Sequence, residues 1–451
     1  MGTDYNLKLT LHLIYPGTYS SAWRTDETDA SDLVSPEFFV NAARIAERGA
    51  FDAVFLADNL MVPDGFEHRV FYALEPTITL ATIAAHTSHI GLIGTISTSY
   101  NEPFNLARRI ASLDHVSGGR AGWNIVTTAD SLTHLNFGLQ QPSSREERYA
   151  RALEFADTVV DLWDSWEDGA LVGDKAAGRL IDPGRVHPIN HAGDHYRVRG
   201  PLNVPRPPQG HPIRVQAGGS EGGLALAARH ADIVFALLHT VDEAKAYRKE
   251  LDRRLIAQGR QAGEVIVMPG LVTIIGSTEE EAKRREEQLW NLVPIRHGLN
   301  RLAFILDVDP DSLDLDAPLP ENITPPRDRS KIFFEKTIAR AREGKLTVRE
   351  LIKVQGGGTS HRIVVGTPEK IADDIERWYR ADAVGGFNIM ADVLPSGIEA
   401  FVDGVVPLLR ARKLFRHGYT GTTLRDHLGL ARPASRFSTP AAKRRGQSTL
   451  S

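Results

Sequence analysis

The 451-residue chain contains no cysteine. This excludes disulfides, thiolate metal sites and a cysteine nucleophile. It also lacks an excess of either charge: 53 Lys and Arg stand against 57 Asp and Glu, a net charge of −4. Such a balance gives no global attraction to nucleic acid or to an anionic membrane. No apolar run approaches the roughly 18 residues that a spanning helix needs. The start, MGTDYNLKLTLHLIYPG, has neither the basic head nor the apolar core of a signal peptide. A soluble cytoplasmic protein without nucleic-acid or membrane partners is therefore expected. HExxH, GxSxG and an early GxGxxG are all missing.

What is present is an alternation. Short apolar runs read as strands: LTLHL from Leu9, AVFLA from Ala53, IGLIGTIST from Ile90 and AGWNIVTT from Ala121. IRVQAG from Ile213, DIVFAL from Asp232, VIVMPGLVTII from Val265 and GFNIM from Gly386 complete eight. Helical patterns separate nearly all of them. In the first, Ser35 reads as an N-cap before Pro36, Phe38, Phe39, Ala42, Ile45 and Ala46 form the apolar stripe, and Gly49 stands where a C-cap belongs. Further helices are predicted from Thr77, from Phe104 and over Arg145 to Trp163. Eight strand–helix units close naturally into a (β/α)₈ barrel. The absence of a glycine-rich turn after the first strand favours the barrel over an open doubly wound sheet. One barrel domain over residues 1–431 is predicted.

Three segments leave this rhythm. Residues 165–212 are rich in Gly and Pro and predict a hairpin and loop. Residues 293–360 hold DLDAPLPENITPP, a helix near Ile332 to Arg342 and QGGGTSH; an insertion this long reads as a functional lid. The end from Arg432, RPASRFSTPAAKRRGQSTLS, is poor in core-forming residues and is expected to be disordered.

A barrel gathers its active site at the C-terminal ends of its strands. Asp58 follows strand two. Thr95, Ser97 and Thr98 end strand three; Asn124, Thr127 and Thr128 lie in strand four. Each has a bland role open to it, Asp58 as a helix cap and Asn124 as a partner for neighbouring backbone. Polar residues at successive strand ends favour an organised pocket. After strand five comes AGGSEGG, Ala217 to Gly223, opening a helix. Its glycines let backbone approach a ligand, Ser220 offers a hydroxyl, and the helix start offers unpaired N–H groups: a phosphate cradle. It lacks a P-loop lysine, which argues against a triphosphate. His187, His191 and His195 lie four apart, but Pro188 and Gly193 break any helix that would align them on a metal.

Longer stretches carry a family resemblance. AERGAFDAVFLAD, NEPFNLARRIASLDHVSGGRAGWNIVTT, RYARALEFADTVVDLWDSWEDGA, QAGGSEGG, VVGTPEKIADDIERW and GYTGTTLRDHLGLARP, with AWR at Ala22–Arg24, occur in this order. Over most of residues 5–432 the chain resembles the bacterial-luciferase-like flavin monooxygenases. Among them it is similar to the group of nitrilotriacetate monooxygenase, the dibenzothiophene-sulfone monooxygenases and pristinamycin synthase.

The resemblance implies a (β/α)₈ barrel using FMN, delivered as FMNH₂ by an NAD(P)H-dependent flavin reductase. O₂ would be activated as a flavin C4a-hydroperoxide to oxygenate a small organic substrate. A homodimer or homotetramer is expected. By position, Asp58, Thr95 and Asn124 would surround the flavin ring, while Tyr149, Gly219 and Ser220 would hold its phosphate, with Arg145 a further candidate. His12 on strand one would either face the flavin as a proton donor or pack as an ordinary strand histidine. Thr18 and Tyr19 stand where relatives carry a histidine pair, and Gly385 where an aspartate is usual. These departures leave the substrate open. Alternatives are an F420-dependent oxidoreductase of the same fold, a metal-dependent barrel hydrolase and a non-catalytic flavin-binding protein.

Overall fold

Strand parity organises the molecule. In Lys8–His12, Leu9 and Leu11 face outward to the helices, while Lys8, Thr10 and His12 face the opposite way. The computed structural model describes residues 7–62, 66–68, 71–128, 132–326, 331–354 and 361–437. Eight parallel strands form a closed ring. They are Lys8–His12, Ala53–Leu56, Gly91–Ser97, Ala121–Val126, Ile213–Gln216, Ile233–Ala236, Ile266–Ile275 and Gly386–Ala391, each paired with the next and the last with the first. All eight predicted strands are therefore found, as a (β/α)₈ barrel. One apolar cluster fills the space between ring and helices; another, with Phe55, Ile93, Val215, Ile233 and Met268, fills the lumen. Gly122 is a lumen position where size matters, because a Cβ there would lie 2.8 Å from Cγ1 of Ile93.

The helices start as their caps dictate. Ser35 accepts from the Phe38 amide ahead of Pro36–Arg48, and Ser144 accepts from Glu147 ahead of Arg145–Trp163. The expected glycine C-cap is corrected in detail. Gly49 is in ordinary right-handed geometry, and the left-handed residue is Ala50 at φ 62°. Gly49 is needed for space: a Cβ would lie 2.7 Å from Val402.

Segment 165–212 forms two small hairpins, Leu171–Asp174 with Arg179–Ile181 and His191–Ala192 with Arg197–Val198. Segment 293–360 contributes helices Ile295–Leu306, Lys331–Glu343 and Val348–Val354 with an apolar cluster of their own around Leu302, Leu306, Phe334 and Leu351. Most of QGGGTSH lies outside the described residues. A strand absent from the sequence prediction, Arg362–Gly366, pairs with the outer half of Ile266–Ile275. The carboxy-terminal segment begins packed: Arg432 pairs with Asp168 at 2.7 Å, Ser435 is buried, and Phe437 stacks on His187. Residues 438–451 lie outside the described part.

The N-terminal end of the barrel is closed by helix Leu424–Leu428. Leu424 sits against Gly91, Lys8 Nζ donates to the His427 carbonyl at 3.0 Å, and Arg425 pairs with Asp232 at 3.1 Å.

Candidate functional site

The opposite, C-terminal end is arranged differently. His12, at the end of strand one, is buried in an aromatic group. Its ring lies 6.1 Å from Phe55 and 6.5 Å from Phe235, both roughly parallel, and His361 stacks on Phe235 at 5.2 Å. Its Nε2 shares a 2.8 Å hydrogen bond with the Tyr72 hydroxyl, and its Nδ1 has no partner. Burial pushes its imidazole down to about 4, because an apolar cage disfavours the cation. His361 is lowered to about 3, first by burial and then by repulsion from His12.

Thr95 and Asn124 share the lumen parity of Ile93 and Gly122 and are adjacent in register. Asn124 is 3% exposed; its Nδ2 donates to Thr95 Oγ1 at 2.9 Å, while its Oδ1 has no partner. Of the threonines after it, Thr128 has the bland role. Thr128 donates to Ser97 Oγ at 2.7 Å, as Thr98 does to the Val126 carbonyl at 3.0 Å, tying two strand ends together. On strand eight, Asn388 accepts from Thr10 at 3.0 Å and leaves its Nδ2 without a partner.

The glycine turn after strand five leads into helix Glu221–His230, and Ser220 is its N-cap, accepting from the Gly223 amide at 3.2 Å. Tyr149 reaches it from helix Arg145–Trp163, hydroxyl to hydroxyl at 3.0 Å. A Cβ at Gly222 would lie 2.6 Å from the Tyr149 ring, and one at Gly218 would lie 2.8 Å from the Gln216 amide. Gly222 is thus required for the close approach of the Tyr149 ring, whereas at Gly218 the Gln216 side chain could shift. Gly219 is exposed on the turn. Beneath it, Gln216 Oε1 is buried without a partner.

Thr95, Asn124 and His12 thus share the barrel mouth, and Ser220 and Gly219 lie on the turn beside it, which Tyr149 reaches from its own helix. Asp58 lies half-buried after strand two; burial, then Glu75, raises its carboxyl to about 6. Arg145 is not brought in. It is exposed at the first position of its helix, where a side chain leans back past the helix end into solvent. Nor do the three histidines converge. His187 and His191 pair with Glu167 and Glu154 respectively, and His195 donates its backbone amide to Glu154. Tyr72, Gln216, Phe235, His361 and Asn388 escaped the sequence reading. Lumen parity, counted from His12 along each strand, would have found Phe235 and Asn388.

Comparison with known proteins bears on the family and the fold. Residues 17–384 match the model of the luciferase-like monooxygenase family. The chain belongs to the luciferase-like monooxygenases. It is 42% identical to component A of nitrilotriacetate monooxygenase from Aminobacter aminovorans, covering 98% of this chain and all of that one. It is 40% identical to N-acetyl-S-(2-succino)cysteine monooxygenase from Bacillus subtilis, over 96% and 98%. Among solved structures, a riboflavin lyase with modified FMN and riboflavin superposes with a TM-score of 0.84 at 31% identity, over 97% and 99%. Membership makes the chain a flavin-dependent monooxygenase. The residues present fit a flavin: the unpartnered Asn124 and Gln216 oxygens offer acceptors for a ring edge, and the turn at Ser220 offers N–H groups for a phosphate. No described helix is long and apolar enough to cross a membrane.

Proposed function

We infer that the chain is the cytoplasmic oxygenase component of a two-component system. It would oxygenate a small organic substrate with O₂ and FMNH₂ supplied by an NAD(P)H-dependent flavin reductase. The observation that carries this is the set of buried polar atoms left without partners at the barrel mouth, His12 Nδ1, Asn124 Oδ1, Gln216 Oε1 and Asn388 Nδ2. Buried polar groups are otherwise almost always hydrogen-bonded, so such a group points to a ligand.

In this assignment Tyr149, Ser220 and the N–H groups of the turn hold the phosphate. The Asn124 and Gln216 amides bond to the polar edge of the ring, and Thr95 fixes the Asn124 amide in place. Bound and reduced, the flavin supplies the activation of O₂. His12 is neutral at pH 7, so it acts as a hydrogen-bonding group and not as a store of protons. Asp58, titrating near 6, is the better-placed proton exchanger. The three-helix insertion is assigned as the lid that keeps water from the mouth. Its Lys336 donates to the Leu237 carbonyl, just past strand six, at 2.8 Å and pairs with Glu243 at 2.7 Å. The exposed Leu171, Val172 and Leu180 on the first hairpin support assembly as a homodimer or homotetramer.

The test is reconstitution with FMN, NADH and a generic flavin reductase, screening organic substrates for added oxygen uptake and for ¹⁸O from ¹⁸O₂ in the product. Hydride transfer to or from F420, with no oxygen incorporated, would overturn the assignment.

A further inference from the structure

A cavity of about 600 Å³ lies between helices Pro103–Val116 and Arg145–Trp163. It is separate from the turn at Ser220. Tyr149 reaches that turn from one side of helix Arg145–Trp163, whereas Arg148 and Arg151 line the cavity. Arg108 and Arg109 line it from the facing helix, and Glu102 is its one acidic lining residue. Outside the lining, Glu75 pairs with Arg109 at 3.6 Å. Arg108, Arg148 and Arg151 have no carboxylate partner among the described residues. Arg148 bonds to the Ser143 carbonyl and Arg151 to the Tyr196 hydroxyl, and both acceptors are neutral. Nε of Arg109 and of Arg148 is shielded from solvent and has no acceptor.

Like charges gathered around one cavity repel unless an anion sits among them, and a guanidinium fork is built for oxyanions. The arginines come from two facing helices and the volume far exceeds that of one phosphate. The fitting ligand therefore carries several anionic groups spread along it. We propose that this cavity is a binding site for a small organic polyanion bearing two or more carboxylates, distinct from the flavin phosphate site. Ser99 and Asn101 line it directly after the strand that carries Thr95, so the bound molecule lies at the rim of the barrel mouth.

The test uses the full chain, citrate as the polycarboxylate probe and inorganic phosphate as the single-anion control, measured by calorimetry with and without FMN. Citrate is expected to bind at least tenfold more tightly than phosphate and not to compete with FMN. Arg108 is exposed, so Arg108→Glu is expected to fold; it should weaken citrate at least tenfold and leave FMN affinity within twofold. Arg108→Lys, which keeps the charge, should retain most citrate binding. The proposal is overturned by citrate binding no tighter than phosphate, by competition with FMN, or by unchanged citrate affinity in Arg108→Glu.

Discussion

The two ends of the barrel handle buried polarity in opposite ways. At the N-terminal end the carboxylates are saturated. Asp52 accepts from the Leu9 amide at 2.7 Å and from Arg416 at 2.9 Å; Asp232 holds both Arg214 and Arg425; Asp114 accepts from the Ala121 and Gln209 amides. Among the described residues at that end, the His427 ring and Nη2 of Arg416 are left without a partner. At the C-terminal end four strands each leave a buried polar atom unmatched. A saturated network keeps its shape without help, whereas an unsaturated one is complete only with something bound. One end thus serves stability and the other serves ligands.

The largest effect expected from breaking this contrast is at the saturated end. Asp232→Ala strands Arg214 and Arg425 as buried, uncompensated cations. It should cost about 3–5 kcal/mol in equilibrium denaturation. A loss below 1 kcal/mol would remove the distinction between the ends.

The next effect is on pH dependence. The folded His12 titrates near 4, below the ordinary 6.5, so the unfolded chain binds more protons between those values. Stability contributed by the neutral ring is present above 6.5 and is lost as pH falls toward 4, by up to about 1.4 kcal/mol per pH unit. His12→Asn should flatten the wild-type slope between pH 7 and 5, read by urea denaturation.

Ser220→Asp places a carboxylate where a phosphate is assigned. FMN affinity should fall at least tenfold with an unchanged far-UV circular dichroism spectrum. Equal affinity would separate the turn from cofactor binding.

The smallest effect on stability is expected from Asn124→Leu, which removes an amide whose oxygen has no partner. Melting of the apo protein should shift little, or even upward. With FMNH₂ saturating, the ratio of peroxide to oxygenated product should rise. A wild-type ratio would return Asn124 to a packing role.

The barrel was legible because its strands are apolar runs with helical stripes between them, a pattern set by local burial. Arg362–Gly366 was not, because it pairs outside the ring and follows a glycine-rich stretch. The partners of the mouth were only half visible. Asn124 and Thr95 stand out as polar residues in apolar strands. Tyr72 and His361 lie in irregular segments, and only the closed ring brings them to His12. Arg145 was misplaced by counting one turn back from Tyr149. That count gives the correct face, but Arg145 is the first residue of its helix and is exposed. Arg148 and Arg151, further inside the same helix, are the arginines that line a cavity.

The floor of the barrel also has a temporal meaning. The bond from Lys8 to the His427 carbonyl joins residues 419 apart. The first strand leaves the ribosome long before the helix that seals it, so its lysine waits in water while the rest is made. Closing so long a loop is slow for entropic reasons. Residues that close the base of the ring therefore stay open to proteases and chaperones while the intervening chain is made.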